Sequence, residues 1–271
     1  MRTSYGKVGV PVQRVLARDG GVHDLLACAI DVEVLGENFT AAYTEGDNRS
    51  VVATDTMKNF VLRETVGFEG DTLDGLVAHL AGELLREYPV MEAVRVSGRE
   101  HRFDRLSGVL FSRSQDDHGV ATVERRGDEI VDARSGREGL WLLKVTGSSF
   151  TRFARDDYTT LPERVDRPLF VRMDVHWRYG DPSAAAGAGH VAPDAVRELL
   201  AEVFDGFVSE SIQHLVHEMG TRALERWPQL AEITFAAENH TRDPVGEDGP
   251  RKVYTDPFPA QGLITLTLDR S

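Results

Sequence analysis

The chain has 271 residues, a formal net charge of −13 and one cysteine. This acidic balance argues against a nucleic-acid-binding protein, because phosphate binding needs a dense basic face and no cluster of Lys and Arg supplies one. No apolar run approaches the length that spans a bilayer, and the amino terminus lacks the apolar core of a signal peptide, so we expect a cytoplasmic protein with no membrane partner.

Two strands open the predicted structure. Apolar alternation and β-branched residues indicate strands at 5–16 and 22–36, joined as a hairpin through Asp19-Gly20-Gly21. Cys28 lies in the second of these runs and has no partner for an internal disulfide, which fits a reducing compartment. We expect it to be a buried structural residue.

Two helices follow. Thr54 or Asp55 is placed to cap a helix that runs to about residue 64, and Thr72 opens a second helix whose apolar stripe ends at Pro89. Further strands are predicted at 91–103, 118–126 and 138–146.

The second half repeats this plan. Pro193 suits the first turn of a helix, and the tract at 183–189 has no patterned apolar content, so we expect a flexible connector there. The predicted elements are strands near 138–146 and 168–178, helices near 193–206 and 210–226, and strands near 231–240 and 262–269.

An internal echo at an offset of 139 residues supports a duplication. Residues 85–104 and 224–243 share a pattern of helix, proline break and strand, and His101 falls opposite His240. We therefore predict two tandem units, at residues 1–134 and 135–271. Helices on one face of antiparallel strands give an α+β fold, and its open sheet edges could be closed by assembly into an oligomeric barrel.

Local motifs alone do not name a reaction. No glycine-rich phosphate loop follows a strand, and no serine lies in a Gly-x-Ser-x-Gly elbow. His214 and His217 lie at helical spacing with Glu218 beside them, but a third metal ligand is not evident, so solvated or helix-packing histidines are the preferred interpretation.

Longer motifs resemble the urate oxidase family along nearly the whole chain. They are Tyr5-Gly6-Lys7, Asp47-Asn48, Val52-Ala53-Thr54-Asp55-Thr56-x-Lys58-Asn59, Trp141-Leu-Leu-Lys144-x-Thr146 followed by Phe150, Arg155-Asp156-Asp157-Tyr158-Thr159-Thr160-Leu161, Asp166-Arg167, Ile212-Gln213, Asn239-His240 and Gly262-Leu263-Ile264. The resemblance implies the tunnelling fold, with two tandem units per chain and homotetramers built around a central tunnel. It would account for the internal echo.

The resemblance also implies a reaction. Urate oxidases convert urate and dioxygen to 5-hydroxyisourate and hydrogen peroxide with no metal or organic cofactor, dioxygen being a co-substrate. Lys7 and Thr54 would form a diad that relays protons, and His240 would extend it. A lysine can act as a base only where its surroundings disfavour the ammonium form. Without the family, Lys7 would be interpreted as a strand-end surface residue and Thr54 as a helix cap.

A protein that binds a flat anionic heterocycle needs an aromatic ring to stack on it, a planar cation to pair with it and an amide to recognise its edge. The resemblance assigns these to Phe150, Arg167 and Gln213, whose side chains can stack, donate in parallel and read an edge. It adds the Ile212 backbone N–H and the backbone of Thr54 and Asp55. Taken alone, Phe150 could belong to the core, Arg167 to a surface ion pair and Asp55 to a helix cap. In the family, the lysine and threonine come from a neighbouring subunit, so the site would lie at a subunit interface.

Glu238 departs from the family pattern, which usually has Asn two residues before the histidine to help hold dioxygen or water. An ionised carboxylate would repel anionic urate unless it were neutralised or paired with Lys7. Three outcomes are open: Glu238 is a protonated donor, Asn239 replaces the missing amide, or activity is altered. We expect a steeper loss of rate at high pH than in Asn-bearing relatives. Alternatives are a purine or pterin enzyme of the same fold, often zinc-dependent, or an inactive binding protein.

Overall fold

The computed structural model of the chain describes residues 3–114 and 117–270. These residues form two compact units. The first comprises residues up to 136 together with 178–191, and the second comprises 137–177 together with the residues from 192 onward. The boundary predicted between residues 134 and 135 stays a prediction.

The first unit is an antiparallel sheet with helices on one face. Its elements are β1 (Thr3–Ala17), β2 (His23–Gly36), α1 (Thr40–Thr44), α2 (Thr54–Gly67), α3 (Leu73–Glu87), β3 (Ala93–Glu100), β4 (Phe103–Arg105), β5 (Phe111–Arg113), β6 (His118–Arg126) and the first part of β7 (Glu129–Lys144). The sheet order is β1-β2-β3-β6-β7, and β4 pairs with β5 as a separate hairpin. Helix α2 packs on β1, and α3 packs on β3 and β6.

The second unit repeats this arrangement. It holds the rest of β7, most of β8 (Leu169–Tyr179), α4 (Pro193–Gly206), α5 (Ile212–Arg226), β9 (Leu230–Asn239), β10 (Pro244–Asp248), β11 (Arg251–Tyr254) and β12 (Gly262–Asp269). Its sheet order is β7-β8-β9-β12, with β10 and β11 as a hairpin. Helix α5 packs on β9, β12 and α4.

Strand periodicity decides which face forms each core. Along β8 every second residue is buried and the residues between them are half-buried, the pattern of a strand with one face under helices. The largest buried side chains of the second unit include Trp177, Met173, Leu200 and Phe235. In the first unit, Cys28 is fully buried, and this burial raises its pKa to about 12. Its expected structural role is therefore supported.

Helices α3 and α5 confirm the internal echo. Helix α3 begins at Leu73 and α5 at Ile212, and 73 + 139 = 212. The residue before each helix caps it: Thr72 Oγ1 accepts from the Gly75 backbone N–H, and Ser211 Oγ accepts from the His214 backbone N–H. Each hydroxyl satisfies one N–H that the first turn leaves without an intrahelical partner.

Two sequence predictions require correction, and some elements were missed. The residue that caps α2 is Ala53, with no side-chain hydrogen bond, so Thr54 and Asp55 lie inside the first turn instead of capping it. The tract at 183–189 is not a patternless connector, because Pro182–Ala186 form a 3-10 helix that Asp181 caps and that buries Ala185. Helix α1 and the β4–β5 hairpin were not predicted.

No helix within residues 3–114 and 117–270 is both long and apolar enough to cross a membrane.

Candidate active site

Tyr5 joins the strand that carries Lys7 to the segment that leads into α2. The Tyr5 hydroxyl accepts a hydrogen bond from the Val52 backbone N–H at 3.0 Å, and its ring meets the edge of Phe39 at 4.8 Å. Burial raises the pKa of Tyr5 and outweighs the opposing effect of the Val52 hydrogen bond. The phenol therefore stays neutral at physiological pH. Its hydrogen bond holds Val52, which lies two residues before Thr54 in the chain, against β1.

Gly6 allows β1 and β2 to pair closely beside Lys7. A Cβ atom at Gly6 would lie 1.9 Å from the Val32 carbonyl oxygen, so no larger residue fits without moving the backbone. The register of β1 and β2 shifts between Lys7 and Val10, where Gly9 adopts a φ of 68°. This bulge ends the regular pairing directly after Lys7.

Gly6→Ala is expected to lower the free energy of unfolding by about 3 kcal/mol, at the upper end of the usual cost of overpacking, because a backbone atom cannot rotate away. The measurement is the urea midpoint at fixed protein concentration. Gly67→Ala is the matched control, because nothing lies within 4 Å of its Cβ position. Equal midpoints for the two variants would contradict the steric argument.

Thr54 and Asp55 form the start of α2, with Thr54 half-buried and Asp55 exposed. The Asp55 carboxylate accepts hydrogen bonds from Lys58 and, at 3.1 Å, from Asn59. The pKa of Asp55 is lowered chiefly by the hydrogen bond and charge of Lys58, with a smaller contribution from the charge of Lys7. The structure thus brings Lys7 near the first turn of α2, and Asp55 pairs within its helix.

In the second unit, Phe150 and Arg167 form a ring and cation pair. The Arg167 Cζ atom lies 5.4 Å from the centre of the Phe150 ring, and the Phe153 ring stacks parallel to that of Phe150 at 4.9 Å. Backbone hydrogen bonds of 2.7 and 3.0 Å join Phe150 to Arg164. Phe150 is half-buried and is not among the fully buried residues of the core.

Arg167 is a half-buried cation whose Nε is a buried, unused donor. Its backbone N–H donates to the Ser148 carbonyl at 2.9 Å, and its Nε is buried without a hydrogen-bond partner within residues 3–114 and 117–270. Burial, together with the charge of Arg164, lowers the pKa of the guanidinium. An unmade hydrogen bond of this kind costs about 1–3 kcal/mol, which a ligand acceptor could recover. Arg167 is not the surface ion pair considered as an alternative.

Hydrogen bonds of Asp166 and Lys144 hold the surrounding segments in place. Asp166 accepts hydrogen bonds from Thr146 Oγ1 and the Gly147 backbone N–H, both at 2.8 Å. Although burial opposes its charge, these bonds keep the pKa of Asp166 below its ordinary value. Lys144 Nζ donates to three carbonyl oxygens at the end of α4, those of Phe204, Asp205 and Phe207. Such contacts complement the negative end of the helix dipole.

Ile212 and Gln213 are the first two residues of α5. The Ile212 side chain is buried, so the polar group with which Ile212 could bind a ligand is its backbone N–H. The Gln213 side chain is exposed. Pairing of Ser148 with Ser209, through a 2.9 Å bond from the Ser149 backbone N–H to the Ser209 carbonyl, holds this helix start near the segment that carries Phe150.

The histidines of α5 do not form a metal site with other described residues. His214 meets the edge of the Phe207 ring at 4.7 Å, and His217 is exposed. The described part of the chain contains no group of three or more His, Cys, Asp or Glu side chains that could hold a metal ion.

His240 follows the end of β9 and contacts Glu238. Its backbone N–H donates to the Phe170 carbonyl at 2.9 Å, and its Nε2 lies 3.2 Å from Glu238 Oε2. The other oxygen of Glu238 lies 3.4 Å from Nη1 of Arg172, a cation that sequence reasoning missed. The Asn239 side-chain amide, the other group considered for the role of the family amide, donates to Thr241 Oγ1 at 3.1 Å.

A cavity of mixed charge connects Arg167 with the residues that follow His240. Its charged lining consists of Arg164, Asp166, Arg167, Arg242, Asp243, Glu247 and Lys252. Basic and acidic groups both line it, and two of its members, Arg167 and Arg242, each have a buried Nε without a hydrogen-bond partner among the described residues. The structure therefore groups Lys7, Thr54 and Asp55 in one unit, and Phe150, Arg167, Ile212, Gln213, Glu238 and His240 in the other.

Comparison with known proteins identifies the family. Two tandem segments, residues 3–129 and 133–259, match the family model described as Uricase. The chain belongs to the uricase family. A uricase of Haloferax volcanii is 38% identical, with 98% of each chain covered. The uric acid degradation bifunctional protein of Bacillus subtilis is 37% identical over 96% of this chain and 56% of its own length.

Solved structures of uricase family members share the fold. A urate oxidase from Bacillus sp. TB-90 superposes with a TM-score of 0.91 at 33% identity, covering 99% of this chain and 100% of that one. A uricase from Arthrobacter globiformis gives a TM-score of 0.89 at 31% identity, covering 100% of this chain and 94% of that one. The α+β tunnelling fold with tandem units is thereby confirmed.

Proposed function

We propose that this chain oxidises urate with dioxygen to 5-hydroxyisourate and hydrogen peroxide. The observation that carries the proposal is the pairing of Phe150 with the buried, unpartnered Nε of Arg167. A ring beside a planar cation suits a flat purine anion, which can stack on one and accept hydrogen bonds from the other. Membership of the uricase family supports urate as that anion.

The substrate is held by groups of the second unit. Urate stacks on Phe150, and Arg167 donates to a carbonyl oxygen and a ring nitrogen of the substrate. Gln213 reads one edge of the purine, donating to one atom and accepting from another. The Ile212 backbone N–H, at the positive end of the α5 dipole, adds a donor for the anion.

Proton transfer belongs to Lys7, Thr54 and His240. Urate gives an electron pair to dioxygen, which leaves as hydrogen peroxide, and water supplies the hydroxyl group of 5-hydroxyisourate. Lys7 and Thr54 move the protons that these steps release and consume, and His240 extends their relay. The Thr54 hydroxyl suits this role because it both donates and accepts. The backbone of Thr54 and Asp55 completes the pocket.

The active enzyme is a cytoplasmic homotetramer that needs no metal or organic cofactor. Lys7, Thr54 and Asp55 of one subunit complement Phe150, Arg167, Gln213 and His240 of another, so each site lies at a subunit interface. Isolated monomers are then inactive.

The test follows urate absorbance and peroxide release with metal-free protein in the presence of a chelator. Loss of urate with matching release of peroxide is the expected result. A dependence of turnover on added zinc would favour a metal-dependent purine or pterin enzyme instead. Binding of urate without peroxide release would indicate an inactive binding protein. Folded monomers with full turnover would contradict the shared site.

A further inference from the structure

A row of charged side chains on neighbouring strands leads to His240 on the half-buried sheet face of the second unit. On β8, Arg172 and Asp174 are half-buried, whereas the residues on either side of each are buried. Glu238 continues this face on β9, with a quarter of its side chain exposed, and 15% of the His240 side chain is exposed. Strand periodicity therefore places Arg172 and Asp174 on one face of β8, and the contacts of Glu238 with Arg172 and His240 bring the other two side chains to the same face.

These side chains form a continuous series of contacts. The Gly139 backbone N–H donates to Asp174 Oδ1 at 2.7 Å, and Arg172 Nη2 lies 3.1 Å from the same oxygen. Arg172 Nη1 lies 3.4 Å from Glu238 Oε1, and Glu238 Oε2 lies 3.2 Å from His240 Nε2. Asp174 thus anchors Arg172, which faces Glu238, which in turn faces His240.

The contact with Glu238 determines which nitrogen of His240 can exchange a proton. An ionised carboxylate only accepts hydrogen bonds, so His240 Nε2 must carry the hydrogen and Nδ1 has the free lone pair in the neutral ring. The ring itself is held in place, because Trp141 packs against it at 4.6 Å and the edge of Phe170 meets it at 5.8 Å. Orientation and tautomer are therefore set together.

We propose that Glu238 is a positioning residue for His240 and that Arg172 offsets part of the negative charge beside the substrate. The inference rests on the proposed function, in which His240 extends the relay. Nδ1 accepts a proton from the relay, the carboxylate stabilises the resulting imidazolium, and Nδ1 returns the proton, so the step leaves no net change. Glu238 therefore does not replace the family asparagine as a ligand of dioxygen.

Charge arithmetic explains how a carboxylate is tolerated beside anionic urate. Arg172 lies between two carboxylates, so the cluster of Arg172, Asp174 and Glu238 carries a formal charge of −1. Removing Arg172 alone makes it −2, and removing Glu238 alone makes it zero. A double variant without both returns it to −1. The two proposed roles therefore affect different kinetic constants. The positioning of His240 affects kcat, and the charge near the substrate affects KM.

Glu238→Gln tests the positioning role, because it keeps the shape and removes the charge. We expect kcat to fall about 10²-fold, as when a carboxylate that orients a relay histidine is neutralised. The KM for urate should not rise, because no substrate contact is lost and one negative charge near the anion is removed. A merely structural ion pair would lower the thermal midpoint without this division between kcat and KM.

Arg172→Gln tests the charge role. We expect KM to rise about tenfold with a smaller change in kcat, and Arg172→Gln combined with Glu238→Gln to return KM to within about threefold of the wild type. Arg95→Gln is the matched control, since Arg95 bridges Glu33 and Glu124 in the first unit in the same way. It should leave both kinetic constants unchanged.

A spectroscopic measurement separates this inference from the proposed function. Nitrogen NMR of histidine-labelled protein, with His240 assigned by the loss of its signals in His240→Gln, should show the Nε2-protonated ring in the wild type and a changed signal in Glu238→Gln. Wild-type protein that oxidises no urate would contradict the proposed function, yet this tautomer would still support positioning. Turnover by the wild type with unchanged kcat and unchanged signals in Glu238→Gln would overturn the inference, as would a double variant that keeps the raised KM.

Discussion

Lys7→Met is expected to lower kcat for urate oxidation by about 10²–10⁴-fold, the usual contribution of a positioned acid or base. Methionine keeps an unbranched side chain of similar length but cannot carry a proton. Urate binding should persist, because the stacking ring and the planar cation belong to the second unit. Stopped-flow turnover and equilibrium binding of urate measure the two effects separately.

Lys58→Met is the matched control for that variant. Lys58 lies in the first turns of α2 and pairs with Asp55, so its loss removes the same charge close to Thr54 without touching the proposed relay. We expect its kcat to stay within about threefold of the wild type. Equal losses in the two lysine variants would mean that net charge around Thr54, and not proton transfer by Lys7, explains the effect.

Mixing two inactive variants is expected to restore activity. Arg167→Gln should lower kcat/KM about 10²-fold or more, because the amide lacks the charge and the parallel donors of the guanidinium. If each site takes Lys7 from one subunit and Arg167 from another, mixed oligomers of Lys7→Met and Arg167→Gln contain intact sites. Random reassembly of equal amounts would make roughly a quarter of all sites intact.

The variants are unfolded together, refolded together and assayed beside each variant refolded alone. A double variant carrying both changes in one chain, refolded with the inactive Lys7→Met chain, provides the control, because that mixture contains no site with both residues. Activity of the first mixture no higher than that of the control would rule out a site shared between subunits.

Helix boundaries were predictable from the sequence because their signals are local. Thr72 and Pro193 lie where capping and first-turn preferences place them, and the predicted helix at 193–206 coincides with α4. The start of α2 was misassigned because its N-cap residue is Ala53, which makes no side-chain hydrogen bond. A helix can begin without a capping side chain when tertiary contacts fix the backbone that precedes it. Here the Tyr5 hydroxyl supplies such a contact.

The charged environment of His240 was not predictable, although the histidine itself was found through the family resemblance. Arg172 and Glu238 are 66 residues apart in the chain, and only the pairing of β8 with β9 brings them together. Periodicity indicates which face of a strand a residue occupies, but the register between non-consecutive elements depends on the packed helices. The sequence therefore offered only Lys7 as a cation for Glu238, whereas the folded chain places Arg172 beside it.

The bond from the Val52 backbone to Tyr5 has a consequence for how substrate preference can change. Because it joins the start of α2 to the strand that carries Lys7, the proposed proton-transfer groups Lys7 and Thr54 are held together within the first unit. Phe150 and Gln213, which are proposed to bind the purine, lie in the other unit. Substitutions that reshape the purine pocket can thus accumulate in one copy of the duplicated fold while the acid–base geometry of the other is preserved.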